Sequence, residues 1–448
     1  MLISIYMPTH NYEDYIEESI KSVINQTISN WELIIINDGS TDNTHKILEK
    51  FEYHEQIRIY HQENKGLNVT NNIALRLARG NYIMRLDADD FLDENALKLL
   101  SDALKNNKSA DLVYPDYYEV DKDGSIISVV KRKDIDKENV LDMPAHGACT
   151  MFKTSVLKSL GGYHEEFQCQ DGYDIWLRFI QKHRPINLSI PLFYYRQHSV
   201  SLTKNKSKIL KTRRGIKSKF IKEKSYSTSH HNTALIFASS STNYINNHPL
   251  KELNDQKLID YTILNCQACE SISEVVVCTP DQEIAEYVKQ YKNLHVFMRK
   301  THDDTRESCL QDMIDNRFDP IINTDSIFFL NSNSPLLRDY HFKWAIDTLQ
   351  IFNVDRVISV DEELKNLYTH TPFGLQPIGN GSQQIIKYEK NAIYSENGAI
   401  YLIKKESLKK TNKQLLTGHL ALLPYEGVKI NSDYEFWLAE NILKSKKF

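Results

Sequence analysis

Through roughly the first 200 residues, short β-branched runs alternate with stretches of helical period, and that alternation leaves few folds open. Leu2 to Met7 and Trp31 to Ile36 read as strands, while Tyr15 to Asn25 carries Ile16, Ile20, Val23 and Ile24 at amphipathic-helix spacing. A helix from Thr41 to Phe51, a strand at Ile57 to His61 and a helix from Val69 to Arg79 continue the series. Strand, helix, strand in this order implies a parallel sheet, because parallel neighbours can be joined only by a crossover. Ligands of such sheets bind beyond the C-terminal strand ends.

Two of those ends are acidic. The Trp31 to Ile36 strand stops in Asn37-Asp38-Gly39-Ser40, and the apolar run from Gly80 to Leu86 stops in Asp87-Ala88-Asp89-Asp90. Carboxylates this close repel one another, and a divalent cation relieves them. A solvated acidic turn is the plainer alternative, although two acidic ends on one sheet edge count against coincidence.

The rest of the chain bounds the answer. With 448 residues, two domains are the natural expectation. A composition of 41% hydrophobic and 25% charged residues with net charge -4 is that of a soluble globular protein and argues against a nucleic-acid binder. No apolar run is long enough to span a bilayer, and Met1 to Pro8 lacks the layout of a secretory signal, so a cytoplasmic location is expected. Six scattered cysteines fit a reducing compartment, and Cys266-Gln-Ala-Cys269 reads as a buried helix face rather than a zinc or redox motif.

Seven blocks then fall in a recognisable order: Pro8-Thr9-His10-Asn11-Tyr12, Asn37 to Asp42, Asn64-Lys65-Gly66 with Asn72, Leu86 to Asp90, Gly161 to Phe167, Gln170 to Arg178, and Tyr195-Arg196-Gln197-His198. In order and spacing they resemble the family 2 glycosyltransferases of the GT-A fold. The resemblance implies an inverting transfer from a nucleotide-diphosphate sugar, UDP-sugar favoured, to a glycan or lipid-linked acceptor, assisted by Mn²⁺ or Mg²⁺. It makes Asp89 a metal ligand, sets Asp87 against the donor ribose, and has Asp38 meet the nucleobase near Pro8 and Thr9. Asn11, Asn64, Gly66, Asn72 and Arg196 complete the expected donor site. An inverting transfer needs a carboxylate that takes the acceptor hydroxyl's proton. Asp171 stands at that place in the family pattern, and a helix N-cap is its other reading. Asp174 reads as a first-turn acid. His198 is either a further metal ligand or structural. Thr70-Asn71-Asn72 departs from the family's usual Ala-Arg-Asn, replacing a cation with an amide. Acceptor contacts are expected on the Tyr117 to Met151 stretch.

From Lys204 to Lys224, ten basic residues are answered only by Glu223, with Ile209, Leu210, Ile216, Phe220 and Ile221 on a helical stripe. Such a segment either lies on the inner face of the membrane or packs on its own domain as a linker helix. Ser225 to Asn232 reads as a polar joint.

A second α/β pattern begins at Thr233: strand Ala234 to Ala238, helix Lys257 to Cys269, strand Glu274 to Thr279, helix Gln282 to Gln290, strand Ser326 to Leu330, helix Tyr340 to Phe352, and strands Val357 to Val360 and Gly398 to Ile403. Leu253-Asn254, Ser334-Pro335-Leu336 and Asn397 to Tyr401 are among the residues that make this half similar to cytidylyltransferases of the CMP-sialic acid synthetase type. That family's glycine-rich loop, with its arginine and lysine, is here Ala238 to Asn243, and its late aspartate pair is Lys429 and Asn431. Without phosphate cradle or metal pair, a non-catalytic domain that pairs subunits or holds a ligand or partner enzyme is expected. The expected layout is therefore α/β throughout: a GT-A domain over 1-203, a linker over 204-232, and a cytidylyltransferase-like domain over 233-448. The alternatives are a bifunctional enzyme that also makes a CMP-sugar and an inert scaffold in a polysaccharide-assembly complex.

Overall fold

The computed structural model describes residues 1–132, 147–167, 169–198, 206–224, 230–240, 249–299, 306–315, 318–362, 368–371, 374–377, 394–410 and 414–445. They form two compact units, Met1–Ile216 and Lys217–Phe448.

The first unit runs β1 (Ile3–Thr9), α1 (Ile16–Ile24), β2 (Trp31–Asp38), α2 (Thr44–Glu49), β3 (Ile57–Gln62), α3 (Leu67–Leu77), β4 (Tyr82–Arg85), β5 (Phe91–Leu92), α4 (Ala96–Asn106), β6 (Leu112–Val120), β7 (Ile126–Val130), β8 (Met151–Lys153), α5 (Thr154–Ser159), α6 (Asp171–Phe179) and β9 (Pro185–Arg196). Its sheet has the order β3-β2-β1-β4-β8-β6-β9-β5, with β7 beside β6. The first four strands are parallel. Their winding leaves β1 outward through β2 and β3, then returns to place β4 on the other flank of β1. That reversal opens a crevice at the C-terminal ends of β1 and β4.

β1 and β2 are buried along their whole length, as strands covered on both faces must be. Successive side chains serve opposite cores. Ile5, Met7, Leu33 and Ile35 pack with Ile16 and Ile20 of α1 and Leu97 and Leu100 of α4. Tyr6, Ile34 and Ile36 pack with Ala74 of α3 and Trp176 and Phe179 of α6. Each fully buried aliphatic side chain contributes about 1.5–3 kcal/mol, which holds the strand ends in place under the crevice.

The basic segment forms one helix, α7 (Lys206–Lys224). Ile209, Leu210, Ile216 and Phe220 are only 2%, 6%, 1% and 3% exposed. Burial of this apolar stripe is what the reading of a packed linker helix expects. In the first unit, Arg213 Nε donates to Gln170 Oε1 at 2.6 Å, and its guanidinium sits 4.8 Å from the Tyr173 ring centre. In the second, the Lys217 ammonium lies 5.1 Å from the Phe352 ring centre. Among the described residues no helix is long and apolar enough to cross a membrane.

The second unit repeats the winding. Its main sheet orders Leu294–Met298, Glu274–Thr279, Asn232–Phe237, Ser326–Asn331, Tyr394–Lys404, Arg356–Glu362 and Thr417–Ala421. The first four are parallel and Tyr394–Lys404 runs against both its neighbours. The expected helices appear as Leu258–Ala268, Gln282–Val288 and Asp339–Ile351. Strands Leu294–Met298 and Thr417–Ala421 and helix Asp433–Lys444 were not anticipated. Cys266 and Cys269 are buried free thiols, pushed up by burial and so unreactive. Much of the expected polar joint, part of the expected acceptor stretch, and Ser241 to Asn243 lie outside the described residues.

Candidate active site

Three loops beyond the strand ends are knitted into one cluster. Asp38 is buried, and its Oδ1 accepts from Lys65 N at 2.8 Å and Gln62 Nε2 at 2.7 Å, while Oδ2 accepts from Gly66 N at 2.9 Å. The carboxylate at the end of β2 thus shapes the turn that launches α3, where Gly66 takes φ +87°. Asn11 Oδ1 accepts from Thr41 N at 2.7 Å, and the Asn11 N–H donates to Ser40 Oγ at 3.0 Å. Asn64 Nδ2 lies 3.3 Å from the His10 ring, whose Nδ1 is 2.9 Å from the Asp38 carbonyl. Pro8 and Thr9 end β1 within this cluster, and Thr9 Oγ1 is buried without a hydrogen-bond partner among the described residues.

The three carboxylates after β4 part company. Asp90 turns inward: its Oδ1 accepts from Arg196 N at 3.0 Å, and burial, then Asp89 and Asp87, push its carboxyl well up. Asp89 Oδ2 lies 2.8 Å from His198 Nε2 at the end of β9. Burial raises the Asp87 carboxyl to about 6 against the opposing pull of Arg85, whose Nε is 2.9 Å away. Tyr12 stands edge-on to His198 with ring centres 6.4 Å apart; burial and the nearby carboxylates push its hydroxyl up.

Asp171 opens α6 rather than capping it; the cap position is Gln170, at φ +61°. Its Oδ2 pairs with Arg85 Nη1, and Asn71 Nδ2 approaches the same oxygen at 3.5 Å. Asp174 is paired with His164 at 2.9 Å and with Arg178, a framework role in addition to its place in the first helical turn.

Two expected donor contacts are engaged elsewhere. Arg196 gives Nε to the Asp89 carbonyl at 2.9 Å, Nη1 to the Lys122 carbonyl at 2.8 Å and Nη2 to Glu18, with Tyr15 and Phe91 flanking its guanidinium. Asn72 spends its amide on Tyr163 N, Tyr163 O and Glu165, each at 2.8 Å. In this structure both side chains hold loops together. Sequence reading passed over Arg85 and the Tyr6 and Tyr163 hydroxyls 2.8 Å apart beside it. The one signal for Arg85 was a cation inside an otherwise apolar strand.

Among the described residues no group of three or more His, Cys, Asp or Glu side chains could hold a metal. Asp89 and His198 offer two ligands, one oxygen and one nitrogen. That set fits Mn²⁺ or Mg²⁺, which bind by one or two protein ligands and complete their shell from substrate phosphates.

The family model described as Glycosyl transferase family 2 matches residues 4–161, and that described as Cytidylyltransferase matches 233–448. An Escherichia coli β-1,3-glucosyltransferase, WfgD, is 33% identical over 215 residues, covering 47% of this chain and 83% of its own. The chain belongs to the family 2 glycosyltransferases. This family 2 chain is also similar to the chondroitin synthase of Escherichia coli, at 35% identity over 179 residues. That match covers 40% of this chain and 26% of the synthase, so it spans only a small part of that relative's length. A glycosyltransferase of Rickettsia bellii is 24% identical over 412 residues, 82% of this chain and 58% of its own, so the alignment reaches both units. The second unit is a cytidylyltransferase-type domain.

Proposed function

We propose that the first unit moves a sugar, with inversion, from a nucleotide-diphosphate donor, UDP-sugar favoured, to a glycan or lipid-linked acceptor in bacterial surface polysaccharide synthesis. The observation that carries this is the Asp89–His198 pair, 2.8 Å apart at the β1/β4 crevice of a family 2 domain. The names of two relatives, a chondroitin synthase and an enzyme of UDP-glucose and a diphosphoundecaprenol-linked acceptor, support the substrate class.

Asp89 and His198 would hold Mn²⁺ or Mg²⁺, which when bound offsets the charge gathering on a leaving diphosphate. The Asp38 turn and Thr9 Oγ1 would receive the nucleoside. Asp87 would face the ribose. Asp171 would take the proton of the acceptor hydroxyl as its oxygen bonds to the anomeric carbon and the bond to the diphosphate breaks. The cytoplasm is the proposed setting, supported by the free thiols of Cys149, Cys169, Cys266 and Cys269.

For the second unit we propose a non-catalytic role that pairs two copies of the chain or holds a ligand. Asn431, where an aspartate pair is expected, takes Asn333 Nδ2 at 3.2 Å and gives its N–H to Glu435 at 2.9 Å. Ser240, in the stretch that replaces the phosphate loop, is tied to Asp281 through both its N–H and its hydroxyl at 2.8 Å. Calorimetry with UDP and CTP, with and without Mn²⁺, tests both proposals. UDP binding that needs Mn²⁺, with no CTP binding, is expected; CTP turnover to a CMP-sugar would overturn the role of the second unit.

A further inference from the structure

Arg85 is a buried cation, 8% exposed, at the end of a strand whose other side chains are apolar. One edge of its guanidinium meets Asp87, with Nε 2.9 Å from Oδ1 and Nη2 3.3 Å from Oδ2, while Nη1 pairs with Asp171. One planar fork therefore joins two carboxylates that lie far apart in sequence. Burying a charge costs several kcal/mol unless it is paired, so the fork is held only while both acids stay in place.

The surroundings leave that fork little freedom. A Cβ at Gly147 would overlap the guanidinium, falling 2.8 Å from Cζ, so the backbone of Gly147 lies flat against it. Cys149 N donates to the Arg85 carbonyl at 2.8 Å, and Ala148 bridges to Arg85. On the other flank Tyr6 of β1 is Arg85's partner in register, its hydroxyl fixed by Tyr163. Asn71, at 3.5 Å, holds Asp171 too loosely to do this by itself.

We propose that Arg85 is a positioning residue that sets acceptor-activating Asp171 against donor-side Asp87, so that the two halves of the transfer are aligned by one side chain of β4. This rests on the reading of Asp171 as the base. A buried counter-ion with no positioning role would be replaceable by lysine, whereas a lysine presents one point charge and cannot span both acids.

The test uses the full chain with Arg85→Lys and Gly147→Ala, the second of which displaces the fork without removing its charge. Calorimetry with UDP and Mn²⁺ reads binding, UDP-glucose hydrolysis reads turnover with water as acceptor, and crystal structures of both variants read the Asp171 carboxylate. Turnover lower by about 10- to 100-fold, with UDP affinity falling through Asp87 by a smaller factor, is expected, because a shift of about 1 Å in a reacting group costs that much. Turnover kept in Arg85→Lys, or affinity falling in step with turnover, overturns the proposal. Absence of UDP binding and turnover in the parent overturns the functional reading instead, and the crystallographic arm still decides for Arg85: an unmoved Asp171 in both variants refutes it. Thermal melting separates either result from misfolding, and Gly147→Ala decides the matter where Arg85→Lys does not fold.

Discussion

His198 Nε2 lies 2.8 Å from Asp89 Oδ2 across 109 residues of chain, and both side chains are mostly buried. The contact joins the end of β9 to the end of β4. An imidazole and a carboxylate held this close are placed to share one ion.

Asp89→Asn is therefore expected to lower Mn²⁺-dependent UDP-sugar turnover by about 100-fold or more, the scale of losing one electrostatic contact to the developing charge. His198→Ala should weaken Mn²⁺ affinity and leave metal-free UDP binding unchanged. Calorimetric titration of Mn²⁺ into each variant in the presence of UDP measures this; equal Mn²⁺ affinity in all three proteins would refute the ligand pair.

Asp38 is more demanding. Its carboxylate accepts two backbone N–H groups and one amide in a buried site, so Asp38→Ala strands three donors. A loss of about 2–4 kcal/mol in urea unfolding of the first unit is expected, together with weaker UDP binding, because hydrogen bonds to a charged group are worth about 1.5–3 kcal/mol each and not all are lost outright.

Gly39 follows Asp38 at φ +74°, and a Cβ there would stand 2.7 Å from Asn64 N. Both backbone strain and collision oppose any side chain. Gly39→Ala should cost about 2 kcal/mol or more and separate the Asn37–Asp42 loop from Asn64. Amide exchange would show it as lost protection at Lys65 and Gly66, which donate to Asp38.

The framework of this site was open to sequence reading for a physical reason. Central parallel strands such as β1 and β2 must be apolar throughout, so their ends stand out when polar residues follow, as at Asp38 and Asp87. The edge strand Leu294–Met298 hides because it is half exposed and carries His295, paired with Glu274 at 2.9 Å. Residue type alone leaves open which of two ends one chemistry serves. Asn72 and Arg196 have the groups a donor would need, but only the folded chain shows those groups joined to Tyr163 and to the Asp89 and Lys122 carbonyls. Arg85 was missed because its partner Asp171 is 86 residues away.

Acid should act on the second unit through Asp355. Burial would raise its carboxyl, but Lys410, Ser407 and the Leu416 N–H outweigh it and bring it down to about 2. A folded carboxyl below the unfolded value of about 3.9 stabilises fully above about pH 4, and that contribution is lost as pH falls towards 2. Melting temperature followed between those limits should fall less steeply in Asp355→Asn than in the parent, and an identical slope would refute the assignment.

The grip of Arg213 on Gln170 decides where a gene for the first half can be cut. Ending the polypeptide at residue 203, where the family pattern fades, would delete the guanidinium that covers Tyr173 and the N–H that steadies Gln170, one residue before Asp171. Such a fragment would keep every recognised motif and lose the brace behind Asp171, the proposed base. One ending at Ile216 would retain that brace.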